Sequence, residues 1–307
     1  MIYRQFRKCA RLARAAMVSA GAVMLKLGFV GLGNMGEGMA QNLARAGFPL
    51  TVRDLRPEPV ARLAALGARS ANSNFDIGRA SDLVCIAVFT DEQVRQTCLP
   101  YGDDAGVIAG LAAGGIVAIH STVPTSLSRE LTGEASKRGI HVVDAPMTGG
   151  GEVAAREGKL TFFVGGDAAV FERCKPAFEA MTQNLFHVGA LGAGAAAKIM
   201  SNFLAISNTI VVREALRLAR GFGIPEEKIL EIVNTGGVGS SWVSNNWQRI
   251  RTQEANYTTG KAGMVAMASK DLHLAQALAE ETRTPMPVLS FLIENALPDL
   301  SANSLTS

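Results

Sequence analysis

A lysine and an asparagine four residues apart, Lys198 and Asn202, have the types and spacing of residues that could exchange a proton with a bound molecule. On a helix, such residues lie on one face, about one turn from each other. The residues over 194–197 are small and leave room for a ligand beside the amine, and partial desolvation favours the neutral lysine that accepts a proton. A solvated surface lysine is the alternative that this pair alone leaves open.

A glycine pattern near the start of the chain indicates phosphate binding. The apolar run Leu27–Val30 leads into a GxGxxG spacing, and a helical pattern follows it. In such a unit the first glycine permits a tight turn, the second lets the backbone approach a pyrophosphate, and the third lets helix and strand pack closely, while the helix N-terminus supplies free N–H groups. The sequence therefore predicts a dinucleotide site at Gly31, Leu32, Gly33, Asn34, Met35 and Gly36.

An acidic residue after the next apolar run bears on which dinucleotide binds. Asp54 stands eighteen residues after Gly36 (54 − 36 = 18), where a carboxylate accepts hydrogen bonds from the adenosine ribose hydroxyls and repels a 2′-phosphate. This position therefore favours NAD as the cofactor. Arg53 and Arg56 flank the acid and could bind a phosphate instead, so NADP stays open as the alternative.

The scaffold for these residues is predicted by the order of apolar runs and helical patterns. Their alternation from Leu27 to Val143 predicts a parallel sheet with helices on both faces, a doubly wound α/β Rossmann domain. The predicted strands and helices are Leu27–Val30, Gly36–Ala46, Leu50–Val52, Pro57–Leu66, Leu83–Val88, Glu92–Cys98, Ile116–Ile119, Ser126–Arg138 and His141–Val143. Leu160–Val164 and Leu185–His187 are two further predicted strands.

After residue 189 the pattern changes to nearly continuous helix. Gly194–Arg220 is predicted to be one long interdomain helix, and glycine-rich breaks follow around residues 236–239 and 257–263. An all-α C-terminal domain is therefore expected. The expected organisation is a basic N-terminal extension over 1–25, a dinucleotide-binding Rossmann domain over 26–190, and an all-helical substrate and dimerisation domain over 191–307.

Composition and charge exclude some classes of function. Of the 307 residues, 48% are hydrophobic and 19% are charged, which is enough apolar material for the cores of two domains. The formal net charge of +3 comes largely from an acid-free basic segment over residues 1–26, so nucleic-acid binding gains no support. That segment resembles a transit peptide or a basic surface helix in composition, while Met24 offers a later start just before the first strand.

The cysteines and the apolar runs exclude further classes. The four cysteines, Cys9, Cys85, Cys98 and Cys174, form neither a CxxC pair nor a ligand cluster with the histidines. This spacing predicts no metal site and favours a reducing, cytoplasmic setting. The most apolar run, Ile199–Val212, is short and interrupted by polar residues, so the sequence predicts no membrane-spanning helix.

Four segments in order resemble the β-hydroxyacid dehydrogenase family, of the 3-hydroxyisobutyrate dehydrogenase type. They are GFVGLGNMGEGMAQNLARAGF over 28–48, STVPTS over 121–126, DAPMTGGG with GKLTFFVGG within 144–166, and GAGAAAKIMSNFL over 192–204 followed by KDLHLA over 270–275. The resemblance covers roughly residues 25–297 at nearly the family's spacing, which is far more specific than any single motif.

The resemblance implies a role for individual residues. Lys198 corresponds to the family's catalytic lysine and Asn202 to the asparagine that helps to hold the substrate. Lys270 corresponds to a lysine that completes the cofactor site, although with Asp271 it also has the pattern of a charged first helical turn. The other implied residues are Thr148, Gly149, Gly150, Ser121 and Thr122 for the substrate, and Val88, Phe89, Gln93 and again Thr122 for the cofactor.

The implied reaction is hydride transfer between NAD(P) and the hydroxyl carbon of a small β-hydroxy acid such as 3-hydroxyisobutyrate. Lys198 would take the hydroxyl proton during oxidation and return it to the carbonyl oxygen during reduction. The N–H groups of Gly149 and Gly150, with the Thr148 hydroxyl, can bind a carboxylate because glycine allows close backbone approach. A homodimer or homotetramer is expected from the apolar C-terminal helices and from the family.

Two other functions stay open at this stage. One is an NADPH-dependent reductase of tartronate semialdehyde, glyoxylate or succinic semialdehyde, which Asp54 disfavours. The other is a non-catalytic cofactor-binding scaffold, which would be expected to lose Lys198. The chain also departs from the family pattern, with His120 in place of a frequent acid, Thr148 in place of a serine and Gly263 in place of a phenylalanine near the substrate. These positions touch the predicted substrate pocket, so the departures bear on the identity of the substrate.

Overall fold

The computed structural model describes residues 24–237, 239–257, 259–304 and 306. Of the basic extension expected over residues 1–25, only Met24 and Leu25 fall within this part of the chain. The chain forms two compact units, of which the first ends at Lys198 and the second begins at Ile199. The two units divide within a helix that begins just after the boundary expected near residue 190, and this helix continues from the first unit into the second.

The first unit is built on a nine-stranded sheet. Its strands are β1 Leu27–Val30, β2 Leu50–Arg53, β3 Arg69–Ser70, β4 Leu83–Ile86, β5 Ile116–Ile119, β6 His141–Asp144, β7 Met147–Thr148, β8 Leu160–Gly165 and β9 Thr182–Gly189. The strands lie in the order β3-β2-β1-β4-β5-β6-β8-β7, with β9 paired to β8. The helices of this unit are α1 Gly36–Ala46, α2 Pro57–Ala64, α3 Asn74–Arg79, α4 Asp91–Cys98, α5 Gly106–Gly110, α6 Thr125–Ser136, α7 Gly151–Glu157 and α8 Ala168–Glu179.

The central strands are buried on both faces, as the sequence predicts for a doubly wound sheet. Successive side chains point to opposite faces, so Phe29 and Cys85 pack in one hydrophobic core while Val84 and Ile86 pack in another. The confirmed parallel register also brings strand ends together, since β1, β2, β4, β5 and β6 end at paired residues. The loops that carry the predicted site therefore leave the sheet along one edge.

Strand β8 departs from a wholly parallel sheet, because it runs antiparallel to β6 and β7. The connection from β7 to β8 contains only the short helix α7, and a crossover to a parallel neighbour needs a dozen or more residues. Helix α8 was absent from the sequence-based prediction, since Pro176 within it weakens the helical pattern. Strand β9 extends over Thr182–Gly189, well beyond its predicted core of Leu185–His187.

The second unit is helical throughout the part that the structure describes, as expected. Its helices are α9 Ala193–Gly221, which begins in the first unit, then α10 Glu226–Gly236, α11 Trp242–Asn245, α12 Trp247–Ala255, α13 Gly260–Thr282, α14 Pro287–Phe291, a π-helical turn Leu292–Ala296 and α15 Leu297–Ala302. Ile210, Leu272 and Leu300 are fully buried in its main core. The break expected over 257–263 ends early, at Gly260, because an isolated glycine such as Gly263 is tolerated inside a helix.

Helix α9 is, among the described helices, the one long and apolar enough to cross a membrane by length and composition alone. Its most apolar stretch has a mean hydropathy of 1.4, whereas the sequence-based prediction considered only the shorter run Ile199–Val212. Core helices of soluble proteins satisfy the same criterion. Only 28% of that stretch is buried, so α9 presents apolar surface.

The first turn of α9 is fixed to the sheet by a buried carboxylate. Asp144, the last residue of β6, is 1% exposed, and its oxygens accept the N–H of Gly192 at 2.7 Å and of Ala195 at 2.5 Å. Any Cβ at residue 165 or 194 would lie 2.6 or 2.7 Å from these oxygens, so glycine is required at both. The helix that carries Lys198 therefore starts from a fixed point at the sheet edge.

Candidate active site

The glycine turn after β1 is held by two kinds of contact. Gly31 has a φ of 91°, and a Cβ there would lie 2.4 Å from the Ala87 carbonyl oxygen. Similarly, a Cβ at Gly36 would lie 1.9 Å from the Gly31 carbonyl oxygen. Around Gly33, by contrast, a Cβ would meet no described heavy atom within 4 Å. Packing thus explains two of the glycines, whereas Gly33 fits the close approach of a pyrophosphate.

The start of α1 suits an anion. The N-cap residue Met35 makes no side-chain cap hydrogen bond, and the first N–H groups of a helix are the ones that can bind a phosphate. Glu37 in the first turn would repel a phosphate, but Arg62 donates two hydrogen bonds to it, at 2.6 and 2.8 Å. The Arg62 guanidinium lowers the pKa of Glu37 and balances its charge. The residues of the turn therefore fit a dinucleotide pyrophosphate.

Asp54 joins the glycine turn to the end of β2. Its Oδ2 accepts the Leu32 N–H at 2.6 Å, and its Oδ1 accepts the Arg56 N–H at 2.9 Å and the Arg56 Nε at 3.2 Å. Burial raises the pKa of Asp54, but these hydrogen bonds outweigh burial and leave the pKa below its usual value. Arg56 also donates to the Leu32 carbonyl oxygen at 2.9 Å. The structure thus places a carboxylate beside the turn, where a ribose hydroxyl donor would meet it.

The loop after β4 is shaped by side chains that bond to its backbone. Gln93 Oε1 accepts the N–H groups of Phe89 at 2.9 Å and Thr90 at 3.1 Å. Ser121 Oγ donates to the Val88 carbonyl oxygen at 2.6 Å and accepts the Val88 N–H at 3.1 Å. The structure therefore brings Val88, Phe89, Gln93 and Ser121 together, with Thr122 next in the chain. The donor of Ser121 is used within the protein, and its substrate contact stays a prediction.

The segment from Thr148 to Gly151 has a backbone that only glycine adopts readily. Gly149, Gly150 and Gly151 have φ values of 138°, 97° and 80°, which L side chains rarely adopt. Thr148 is held just before them by its pairing with Thr161 in β8. Successive N–H groups in such a turn can converge on an anion. The local geometry therefore suits the predicted carboxylate contact.

Lys198 lies one helical turn beyond the anchored residue Ala195, in the same unit as the segments above. The lysine is half-buried. Burial raises the pKa of Asp144, although the N–H groups of Gly192 and Ala195 that it accepts lower it. Asp144 precedes Thr148 by four residues, so one carboxylate links the glycine-rich segment to the lysine helix. Sequence reasoning missed this residue, which showed only as the first letter of the DAPMTGGG segment.

The second unit brings Asn202 and Lys270 together through Asp271. Asn202 Nδ2 donates to Asp271 Oδ2 at 2.7 Å, and Lys270 Nζ lies 3.5 Å from Asp271 Oδ1. The Asn202 amide is therefore oriented by the Asp271 carboxylate. Asp271 was named together with Lys270 in the sequence but not assigned to the site, and the expectation of a charged first turn is wrong, because α13 begins at Gly260. The available signal was a carboxylate inside an apolar helical run.

Metal chemistry gains no support from the part of the chain that the structure describes, which holds no group of three potential ligands. Cys85, Cys98 and Cys174 are buried free thiols, and Cys9 lies outside the described residues. Burial raises the pKa of each of these three thiols, that of Cys174 to about 12. They are therefore protonated and inert.

The sequence matches two known domains. Residues 26–189 match the NAD binding domain of 6-phosphogluconate dehydrogenase, and residues 192–298 match the NAD-binding domain of NADP-dependent 3-hydroxyisobutyrate dehydrogenase. The chain is 36% identical over 274 residues to the NAD-dependent L-serine dehydrogenase of Pseudomonas aeruginosa, with 88% of this chain and 90% of that protein covered. It is 32% identical over 265 residues to the mitochondrial 3-hydroxyisobutyrate dehydrogenase of Homo sapiens, with 85% and 77% covered.

Solved structures agree with these matches. The 3-hydroxyisobutyrate dehydrogenase of Salmonella typhimurium superposes with a TM-score of 0.76 at 32% identity, covering 90% of this chain and 94% of that one. The Mycobacterium tuberculosis 3-hydroxyisobutyrate dehydrogenase with L-serine superposes with a TM-score of 0.75 at 28% identity, covering 92% and 96%. Imine reductase structures, at 16–20% identity, share the fold.

The turn geometry predicts different effects for its second and third glycines. We expect Gly33→Ala to leave the melting temperature of the cofactor-free protein unchanged, because its Cβ meets nothing within 4 Å. The same change should weaken NADH binding by about tenfold, since the methyl group occupies the path of the pyrophosphate. Gly36→Ala should instead lower the melting temperature by several degrees. NADH fluorescence titration and thermal unfolding measure both effects, and unchanged NADH affinity in Gly33→Ala would contradict the assignment.

Proposed function

Because the chain belongs to the β-hydroxyacid dehydrogenase family, whose members are NAD(P)-dependent and act on the CH–OH group of hydroxy acids, we propose that Lys198 is its catalytic acid/base. One observation carries this proposal. The buried Asp144 carboxylate joins the strand that leads into Thr148–Gly151 to the helical turn before Lys198. A carboxylate-binding segment and a base are thereby attached to the same anchor.

The proposed substrate is a small acid in which a hydroxymethyl group and the carboxylate are attached to the same carbon. 3-Hydroxyisobutyrate and L-serine share this group, and similar proteins carry the names of dehydrogenases for each. Serine differs by an ammonium group in place of a methyl group. We favour 3-hydroxyisobutyrate, which needs no counter-charge in the pocket, and keep L-serine as the second candidate because of the 36% identical relative.

The chemistry divides among few residues. Loss of hydride from the hydroxyl carbon requires loss of the hydroxyl proton, so a base must reach that oxygen. Neutral Lys198 would accept this proton, and protonated Lys198 would return it to the carbonyl oxygen in reduction. The nicotinamide of bound NAD(P) supplies the hydride acceptor. The N–H groups of Gly149 and Gly150, with the Thr148 hydroxyl, would hold the carboxylate.

Removal of the base should slow oxidation strongly without unfolding the protein. We expect Lys198→Ala to lower kcat by about 10²–10⁴-fold, the usual contribution of a general base. Lys198→Arg should be nearly as slow, since a guanidinium stays protonated. As a matched control, Lys137→Ala removes an exposed lysine paired with Glu134 and should retain full activity. The measurement is NADH formation with 3-hydroxyisobutyrate and L-serine, and equal rates for Lys198→Ala and the parent would exclude this mechanism.

We further propose a preference for NAD over NADP. Asp54 is held beside the glycine turn by hydrogen bonds from Leu32 and Arg56, and its lowered pKa keeps it ionised through the neutral range. A fixed negative charge there repels a 2′-phosphate. A reductase that uses NADPH on a semialdehyde is the alternative, and Arg56 is the residue that would serve it.

Neutralising this carboxylate should change the cofactor preference. Asp54→Asn is expected to shift the ratio of kcat/KM for NAD to that for NADP by at least about tenfold towards NADP, because the repulsion is lost. In the parent the ratio should not change between pH 7.5 and 9, where the 2′-phosphate of NADP is fully ionised, since a carboxyl with a lowered pKa protonates only in more acidic solution. The exposed Asp103→Asn is the control. A parent that prefers NADP would overturn the proposed preference.

A second copy of the chain is proposed to cover an apolar stripe on α9, formed by Leu204, Val211 and Leu218. These side chains are 59%, 63% and 67% exposed. Their spacing of seven residues places them on nearly the same helix face, as at the contact positions of paired helices. Exposed apolar faces of this kind mark interaction sites.

A charge in this stripe should separate the copies. We expect the parent to be a dimer or a larger oligomer by light scattering, and Val211→Glu to yield monomers. Leu66→Glu introduces the same charge at a partly exposed leucine in the first unit and should leave the mass unchanged. A monomeric parent, or an unchanged mass for Val211→Glu, would contradict the proposal. Association of the parent with lipid vesicles would favour a membrane as the occupant instead.

A further inference from the structure

His120 is a buried histidine at the point where two loops of the site leave the sheet. It follows Ile119, the last residue of β5, and precedes Ser121 and Thr122. The side chain is 1% exposed. Neither the cofactor contacts nor the proton transfer described above uses this histidine.

The ring of His120 is hydrogen-bonded to the residue that follows the neighbouring strand, β6. Its Nδ1 lies 2.8 Å from the Ala145 carbonyl oxygen, and because a carbonyl only accepts, Nδ1 is the donor. The β5–β6 ladder ends with the bond from Ala145 N–H to Ile119 O at 2.8 Å, and Pro146, which follows, has no N–H. The chain then turns to pair with β8 at Met147 and Thr148. The side chain of His120 therefore adds a hydrogen bond between the ends of β5 and β6, beyond the last backbone bond of their ladder.

Packing alone does not account for a histidine here. The ring is nearly parallel to that of Phe29, with 6.3 Å between the ring centroids. The ring centroids of Phe162 and Phe178 lie 5.0 and 5.6 Å from that of His120. Within the described residues its Nε2 is buried without a hydrogen-bond partner, which is unfavourable. Burial lowers the pKa of His120 to about 4, so the ring is neutral at ordinary pH. A phenylalanine would fill this aromatic cage without burying an unpaired Nε2, but it would remove the donor to the Ala145 carbonyl oxygen.

We propose that His120 is a positioning residue, whose Nδ1–H holds the Thr148–Gly151 segment at a fixed spacing from the Ser121–Thr122 turn. The two segments flank the proposed carboxylate contact, so this spacing sets the fit of the substrate. The inference deepens the proposed function and rests on it. The glycine turn and Asp54 bind the opposite part of the cofactor and do not depend on this bond.

Two substitutions separate the donor from the packing. His120→Phe keeps a ring in the cage and removes the donor, whereas His120→Asn keeps a short N–H donor and leaves the cage underfilled. We expect His120→Phe to raise the KM for the hydroxy acid by about tenfold, with the Kd for NADH within about twofold of the parent. His120→Asn should restore the KM in large part although its melting temperature is the lower of the two. If His120 served only the packing, the variant with the lower melting temperature would also have the higher KM.

The outcomes are distinct. An active parent with His120→Phe unchanged in KM overturns this inference alone, as does a KM that follows the melting temperatures. Should His120→Asn fail to fold, His120→Phe decides by itself. The tautomer of the His120 ring can be measured without an activity assay. In ¹⁵N spectra the parent should show a signal of a neutral imidazole protonated at Nδ1, and this signal should be lost in His120→Phe. A His120 ring protonated at Nε2 in the parent overturns the proposal. A parent that oxidises no hydroxy acid overturns the proposed function, and this inference with it.

Discussion

The contact between the Asp144 carboxylate and the start of α9 is the constraint on which the site depends. A buried carboxylate loses its hydration, and here backbone N–H groups replace the lost water. The contact also requires two glycines, Gly165 and Gly194, because any side chain there would collide with the oxygens. Without this anchor, the first turn of α9 would have no fixed position relative to the sheet. The lysine one turn later would then lack a defined relation to the segment that follows β6.

Acidic and basic side chains are paired around the glycine turn, the proposed pyrophosphate site. Two acids stand close to the glycine turn, and each is paired with an arginine: Glu37 with Arg62 and Asp54 with Arg56. These pairs are partly exposed, so each contributes little to stability. Their effect is on the local potential, since they reduce the negative charge near the proposed pyrophosphate site while Asp54 keeps an acceptor beside the proposed ribose site. Backbone N–H groups can then supply the main attraction for the phosphates.

Several polar side chains act on loop backbone. Gln93 holds the loop after β4, and Ser121 holds that loop to the next one. His120 belongs to the same group by its bond to Ala145. Such contacts need donors and acceptors in fixed places, and the parallel register provides these places because β4, β5 and β6 end in line. Loops built in this way present backbone groups in a defined arrangement.

The sequence by itself determined the strands β1, β2, β4, β5 and β6, the glycine turn, Asp54 and the long helix, because each has a local pattern of apolar period or glycine spacing. It did not reveal Asp144, Asp271 or the bond of His120, since their partners lie 51, 69 and 25 residues away and leave no periodic signal. The antiparallel course of β8 and the early start of α13 were likewise decided by the folded chain. Local patterns specify elements, whereas contacts between distant residues exist only once those elements have packed.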